Sequence, residues 1–586
     1  MLQTVLTFVT VFPSTVWAIL ITETAERFAY YGFRAILILY LTEQLRYEDE
    51  TAICYFAYMT SLAYTTPIVG AVLSDAYMGK YRTIAVFVWI YSLGLIMLAF
   101  SAYGLLSENY KQERKLSLVS LVLICIGTGG IKPCVSPFGA DQLLYDSSAD
   151  EEEGDGKGSS LSTDVSNTAG YSGLATSPSL SNNIHDAHDH DDSSDDFYSS
   201  SPSSQDVISS REGLAQKFFA WYYVGINIGS LASFLIIPVI KAQYGFGTAF
   251  VVPAIFIVVA LMVFCSKSHE YIIFTPTRQP RGETRTGLTN VLRVYYYFLK
   301  RKCSGRFYFR RAYDVAATSS VHSVSSNDKE DILSQQSPHV NGISQEQYRD
   351  AVEVLRIFPV LALYCLFWML YDQQGSVWVL QAKHMDLHGI QPEQLGIVNP
   401  LLITFLVPVF DSHIYPLCRR YGVSTDHLSR IGTGIILCSV SFFMSGLLER
   451  SVDIAYHGKD YDEGSAEDDG DDHNSTGTKL NVLWQLPQIF VLSMAEILVS
   501  VTGLEFAYTF SPSSMKSVVM AALLLTTAIG DMLGGILYSS LSGLRRDYIL
   551  HICGFLMLFN FVAFKKVKIW WEQSDSFNNN QERVIR

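Results

Sequence analysis

The chain has 586 residues, 49% of them hydrophobic and only 17% charged, and its mean hydropathy is positive. Its apolar residues come in blocks of roughly 20, the length a helix needs to cross a hydrocarbon core of ~30 Å, which excludes a soluble chain of amphipathic domains. The net charge of −14 lies in patches, so it describes loops and topology and neither requires nor excludes a nucleic-acid partner.

Twelve such blocks follow one another, centred near 15–41, 51–73, 82–104, 114–138, 214–240, 247–266, 353–381, 394–417, 430–448, 481–508, 514–539 and 548–566. They predict an all-α membrane protein with twelve transmembrane helices. The expected parts are helices 1–4 in 1–140, an acidic insert in 141–211, helices 5–6 in 212–266 and a basic linker in 267–350. Helices 7–9 follow in 351–448, an acidic loop in 449–480, helices 10–12 in 481–568 and a tail in 569–586. Six blocks before a long linker and six after it suggest two bundles about a central cavity.

The first block runs on without a basic n-region or a small-residue cleavage site, so it reads as a spanning helix and not as a cleaved signal. It contains "ETAERFAYYGFR", two acids and two bases in an apolar run. At about 100° per residue, Glu23, Glu26, Arg27, Tyr30 and Arg34 share an arc of about 100°. The stripe from Glu23 to Arg34 is about 16 Å long, too long for one pair of snorkelling side chains. A polar cavity wall explains it better.

Farther along, Lys132 stands in "GTGGIKPCV", Arg356 and Asp372 in the seventh block, Asp411 in the eighth, Glu496 in the tenth and Asp531 in the eleventh. An ionisable group at mid-helix costs about 2.5–3.5 kcal/mol on insertion scales, so such groups mark cavities and partners. "GTGG" has no preceding strand and no following GK[ST]; close helix packing by small residues is the stronger reading.

Residues 141–210 hold 15 acids and one lysine and cannot bury a core, so the insert is expected to be disordered. His185, His188 and His190 within it read as a solvated acidic tract before a metal site. Residues 278–311 hold 10 bases and one acid, interleaved with aromatics, which suits a helix at the inner membrane surface better than nucleic-acid binding. Lys80, Arg82, the linker bases, Arg419, Arg420, Arg430 and the tail lysines all then face the cytoplasm. The 449–480 loop falls outside, where "NST" at Asn474 is a glycosylation acceptor pattern. Nine cysteines are scattered without CxxC spacing and read as buried thiols.

"ETAERFAYYG" resembles the first-helix signature of the proton-coupled oligopeptide transporters of the major facilitator superfamily. "GTGGIKPCVSPFGADQ", "FFAWYYVGINIGSL", "FWMLYDQQGSVW" and "EILVSVTGLEFAYTFSPSSMKSVVMA" are similar to that family's fourth, fifth, seventh and tenth-to-eleventh segments. The resemblance implies a symporter of di- and tripeptides with protons, working by alternating access, with no cofactor, no metal, no nucleic acid and no enzymatic activity. It implies a chain functional as a monomer in the bilayer, at the plasma membrane or an endolysosomal or vacuolar one.

The resemblance also implies roles. Glu23, Glu26 and Arg27 would couple protons, with Lys132 as cross-helix partner. Arg34 and Lys132 would attract the peptide carboxylate, and Glu496 with Asn227 and Asn399 would hold the amino end. Tyr30, Tyr31, Tyr40, Tyr64, Tyr223 and Trp368 would line the pocket. Asp372 with Arg34, and Arg356 with Asp411, would act as gates. The second-span histidine of animal members is absent, and Leu523 stands where many members have a pocket tryptophan. Asp531 stands where asparagine is usual and receives no role. Two other readings compete: a nitrate or other anion porter of the same family, which Glu496 disfavours by repulsion, and a nutrient-sensing receptor with a transporter fold.

Overall fold

The computed structural model describes residues 12–104, 110–144, 204–273, 295, 345–457, 479–512 and 515–585. The body of the acidic insert with its three histidines, most of the basic linker, most of the 449–480 loop and Asn474 lie outside the described residues.

The described elements are helices. They are α1 (Ser14–Leu39), α2 (Asp49–Leu73), α3 (Lys80–Ala102), α4 (Tyr110–Leu144) and α5 (Ser204–Ser266). After the linker come α6 (Gln345–Ala362), α7 (Tyr364–Tyr371), α8 (Val377–Lys383), α9 (Val398–Val409) and α10 (Tyr415–Arg420). The chain continues with α11 (His427–His457), α12 (Leu486–Glu496), α13 (Thr502–Phe510), α14 (Lys516–Ser540) and α15 (Arg546–Ile585).

Nine helical stretches among the described residues are long and apolar enough to cross a membrane. One of these, Lys217–Ser266, is 50 residues long and turns at Gly245, whose φ of 80° breaks the helix. At ~1.5 Å per residue it is about twice a membrane's thickness, so it makes two crossings. The stretches Arg349–Ala362 and Tyr364–Lys383, which run from α6 through α7 to α8, pass the same test together with a bend of 41°. The helix α1 has the length but carries four charges.

The seventh segment departs from the single helix expected over 353–381. Pro359 cannot donate to the helical ladder and stands just before the break at Leu363. Asn560 Nδ2 donates to the Leu363 carbonyl at this break, at 3.0 Å. A 3-10 turn, Asp372–Gly375, then interrupts the segment again. Single π turns end α1 at Tyr40–Gln44 and α2 at Ser74–Met78, and others at Phe410–Ile414 and Ile497–Val501 lie between consecutive helices.

Two compact units result. The first comprises Met1–Ala52, Thr66–Pro276 and Gly375–Ser424; the second comprises Ile53–Thr65, Thr277–Gln374 and Thr425–Arg586. The helix α2 therefore gives its middle to the second unit and its ends to the first.

In the first unit the "GTGG" segment of α4 packs as the small residues suggest. A methyl group on Gly70 would lie 2.6 Å from the Gly130 carbonyl oxygen, and one on Gly127 would lie 2.5 Å from Tyr91. Only glycine lets α2, α3 and α4 approach this closely. Between α2 and α3, Gly79 turns the chain with φ 77°, and Lys80 Nζ reaches Asp141 at 2.6 Å. In the second unit α11 packs on α15, where Ser439 donates to the Gly554 carbonyl at 2.8 Å. Six of the described cysteines are buried, Cys418 is half-buried and Cys265 is exposed.

Candidate functional site

The helical phase of α1 turns Glu23, Glu26 and Arg27 inward, and all three are buried. Arg27 Nε lies 3.0 Å from Glu23 Oε1, and Arg27 Nη2 lies 2.5 Å from Glu26 Oε2. One guanidinium thus serves two carboxylates, which its rigid fork of donors allows. The Glu23–Arg27–Glu26 cluster has one more acid than base. Further hydroxyls stabilise it: Thr128 Oγ1 donates to Glu26 Oε1 at 2.7 Å, and Tyr222 hydrogen-bonds Glu23.

Lys132 sits one turn beyond Thr128 on α4. Its Nζ stands 4.8 Å from the centre of the Tyr30 ring and within electrostatic reach of Glu26, Arg27 and Arg34. The fit of α5 against α1 fixes the cluster's height. Gly229 leaves room for the Thr24 carbonyl and for Arg27 Cβ, and Phe256 stacks on Phe28 at 4.2 Å.

Other residues singled out in the sequence take varied places in the first unit. Tyr30 and Tyr31 meet edge to face at 5.5 Å, with Tyr31 beside Phe234 and Arg34 half-buried one turn on. Tyr223 and Asn227 lie on α5, where Asn227 Nδ2 donates to the Tyr223 carbonyl at 2.9 Å. Asn399 is buried at the start of α9, and Asp411 is exposed in the π turn after it. Tyr40 is fully enclosed between helices, its hydroxyl 2.8 Å from Ser117 Oγ and its ring edge-on to Phe250.

The second unit holds the rest. Tyr64 is half-buried on α2, and Glu496 is buried at the end of α12, where the π turn begins. Trp368 and Asp372 follow one another on the broken seventh segment. Arg356 packs its guanidinium 4.4 Å over the Trp571 ring and donates to the Trp571 carbonyl at 3.3 Å.

Several polar residues went unnoticed in the sequence. Thr128 and Tyr222 had a faint signal, since Thr128 lies four residues before Lys132 and Tyr222 adjoins Tyr223. Tyr91 is fully buried with no hydrogen-bond partner for its hydroxyl, within electrostatic reach of Glu26. Lys241 and Glu393 form a buried ion pair at 2.8 Å, which joins α5 to the turn Pro392–Ile397. Nearby, Lys383 meets Glu43 at 3.0 Å in a more exposed pair. Neither pair had a signature, because the partners lie far apart in the chain.

The chain is similar to known proteins along most of its length. The sequence profile of the POT family matches residues 81–546. The chain is 30% identical over 456 residues to Peptide transporter family 1 of Drosophila melanogaster, covering 76% of this chain and 48% of the relative. It is 28% identical over 467 residues to Solute carrier family 15 member 1 of Homo sapiens, covering 75% and 52%. The chain thus spans about half the length of these curated relatives. Its fold is similar to the crystal structure of the POT family transporter PepTSo, with a TM-score of 0.64 at 24% identity, covering 96% of this chain and 99% of that one. An auto-inhibited POT family peptide transporter superposes with a TM-score of 0.65 at 23% identity, covering 95% and 97%. With its all-helical membrane fold and a family match over most of its residues, this chain belongs to the POT family.

Proposed function

We propose that this chain carries di- and tripeptides across a membrane together with protons, by alternating access between two six-helix halves. The observation that carries the reading is the buried cluster of two carboxylates on one arginine, Glu23–Arg27–Glu26. A cluster with one more acid than base has a place for a proton, and its partners can exchange. Lys132 stands close enough to be shared between that cluster and a substrate carboxylate. If Lys132 turns to the substrate, Glu26 loses part of its support and accepts a proton, and the two cargoes become linked.

A zwitterionic peptide has a charge at each end. Arg34 and Lys132 attract its carboxylate, and Glu496 with Asn227 and Asn399 holds its amino group. Tyr30, Tyr31, Tyr64, Tyr223 and Trp368 face its side chains, and Tyr40 supports the wall from behind. Recognition of termini gives breadth, since termini are shared by all short peptides. Arg34 with Asp372 and Arg356 with Asp411 serve as gates, and the Lys241–Glu393 and Glu43–Lys383 pairs act as latches that form in one state of the cycle. The chain works as a monomer, in the plasma membrane, with its linker and tail in the cytoplasm and Asn474 outside. It transports its substrate unchanged.

The test is uptake of a labelled dipeptide into proteoliposomes with and without an inward proton gradient. Glu26→Gln is expected to abolish gradient-driven accumulation and to retain peptide counterflow. Full pH-dependent accumulation in that variant would falsify the assignment of the cluster. Glu496→Ala is expected to weaken transport of peptides with a free amino end more than that of amino-blocked analogues.

A further inference from the structure

One stripe of α5 faces α1. Phe218, Tyr222, Gly225 and Gly229 follow one another at i, i+4, i+7 and i+11, so helical phase gathers them within about 60°. Of these four only Tyr222 is polar. The two glycines bring the helices together at the level of the acidic cluster. A methyl group on Gly225 would lie 2.6 Å from Thr24 Oγ1. One on Gly229 would lie 3.0 Å from the Phe28 nitrogen and 3.2 Å from Arg27 Cβ. Thr24 adjoins Glu23 and Phe28 adjoins Arg27, so the close approach is in register with the ion pair between them.

Tyr222 is 8% exposed, and its ring rests on Phe218 with the centroids 5.8 Å apart. Phe218 is itself enclosed and fills the space left by Gly139 of α4. The phenol is therefore walled in, and its hydroxyl hydrogen-bonds Glu23. The other supports of the cluster outside α1 have a different origin. Thr128, which donates to Glu26, and Lys132 both stand on α4. An exchange of Lys132 between the cluster and a substrate thus leaves the Tyr222–Glu23 bond in place, because that bond lies within the close-packed α1–α5 pair.

We infer that Tyr222 is a positioning residue of the proton site: its hydroxyl holds the Glu23 carboxylate on Arg27 while Lys132 changes partner, and so sets the acidity at which the cluster takes up its proton. Two carboxylates on one arginine titrate as a pair, so a donor fixed to one of them acts on the pair as a whole. The proton comes from water to a carboxylate oxygen and returns to water, and no other bond changes. The titratable and charged groups in and around the cluster are Glu26, Arg27, Tyr30 and Tyr31 of α1, Tyr91 of α3, and Cys125 and Lys132 of α4. Tyr222 is the group that α5 supplies. The part in transport rests on the function proposed above; the action of Tyr222 on proton binding does not.

The full chain in liposomes carries the test, with Y222F beside the unaltered protein. Infrared difference spectra over a pH series, without peptide, read the C=O stretch of protonated carboxyls. Loss of a donor to a carboxylate makes protonation easier, so the midpoint of that band is expected to move to higher pH by about one unit in Y222F. The pH profile of gradient-driven dipeptide uptake is expected to move in the same direction. In an E23Q background, Y222F is expected to move neither midpoint. A role in packing alone would lower thermal stability or the rate of uptake and leave both midpoints where they were. Unmoved midpoints in Y222F, or the same shift in the E23Q background, overturn the proposal. 3-Fluorotyrosine introduced at position 222 keeps the hydroxyl and donates more strongly, so it is expected to move the infrared midpoint to lower pH. If Y222F fails to fold, that substitution decides alone, and a midpoint that stays or rises overturns the proposal. If the unaltered chain moves no peptide, the proposed function fails by itself, and the infrared midpoints still decide whether Tyr222 acts on Glu23.

Discussion

Two buried ion-pair sites in the first unit differ in stoichiometry. On α1, Arg27 holds Glu23 and Glu26 together, and Thr128 and Tyr222 donate as well. Between α5 and the turn Pro392–Ile397, Lys241 meets Glu393 at 2.8 Å. Both sites are desolvated, so in each the loss of one partner strands a charge. The first has an excess acid and spare donors, which suits a group that gains and loses a proton. The second is balanced one to one, which suits a latch that is either made or broken. Burial alone therefore does not tell a proton site from a gate; the count of partners does.

Arg27→Met should be the sharpest break in that comparison. It leaves two buried carboxylates without their shared base, at a cost of about 5 kcal/mol, the upper end for breaking a buried pair. Thermal unfolding in detergent reads the loss, and peptide uptake should vanish with it. If the variant unfolds within a degree of the unaltered chain, the cluster is solvated and the argument from burial fails.

Glu393→Gln should cost about 3–4 kcal/mol by the same route, since Lys241 is left in a closed site. Here the balanced pair makes a further demand. The double variant K241M/E393Q should recover most of the stability, whereas no single neutralisation beside Arg27 can rescue the triad. Failure of the double variant to recover would mean that the pair does more than compensate itself.

Thr128→Val probes the spare donors. Removing the hydroxyl leaves a Glu26 oxygen short of a bond, worth about 1–3 kcal/mol. The same substitution in a Glu26→Gln background should cost clearly less, and a thermal double-mutant cycle measures the difference. Equal costs in both backgrounds would detach Thr128 from the cluster. The smallest effect is expected from Lys383→Ala, which breaks the more exposed pair with Glu43 and should change stability by about 0–1 kcal/mol.

The sequence was informative where local order controls the outcome. Helical phase placed Glu23, Glu26 and Arg27 on one face before any fold was known, and they lie within one cluster. Hydropathy marked the crossings, because a spanning helix must satisfy its own backbone and be apolar along its length. It misjudged continuity in the seventh segment: one apolar run hides the breaks at Leu363 and at Asp372–Gly375. Thr128 was passed over because hydroxyls are common in membrane helices and most, like Thr42 and Ser92 here, return to their own backbone.

What the sequence by itself determined is the all-helical membrane fold, its run of spanning segments and the charged face of α1. These follow from hydropathy and from the helical repeat, both properties of neighbouring residues. Only the tertiary structure decided that Thr128 donates to Glu26, that Lys241 finds Glu393, and that Ser61 of α2 donates to the Ala528 carbonyl of α14. Those contacts join segments distant in the chain, and helix packing, set by glycine clearances and side-chain volume, fixes which faces meet.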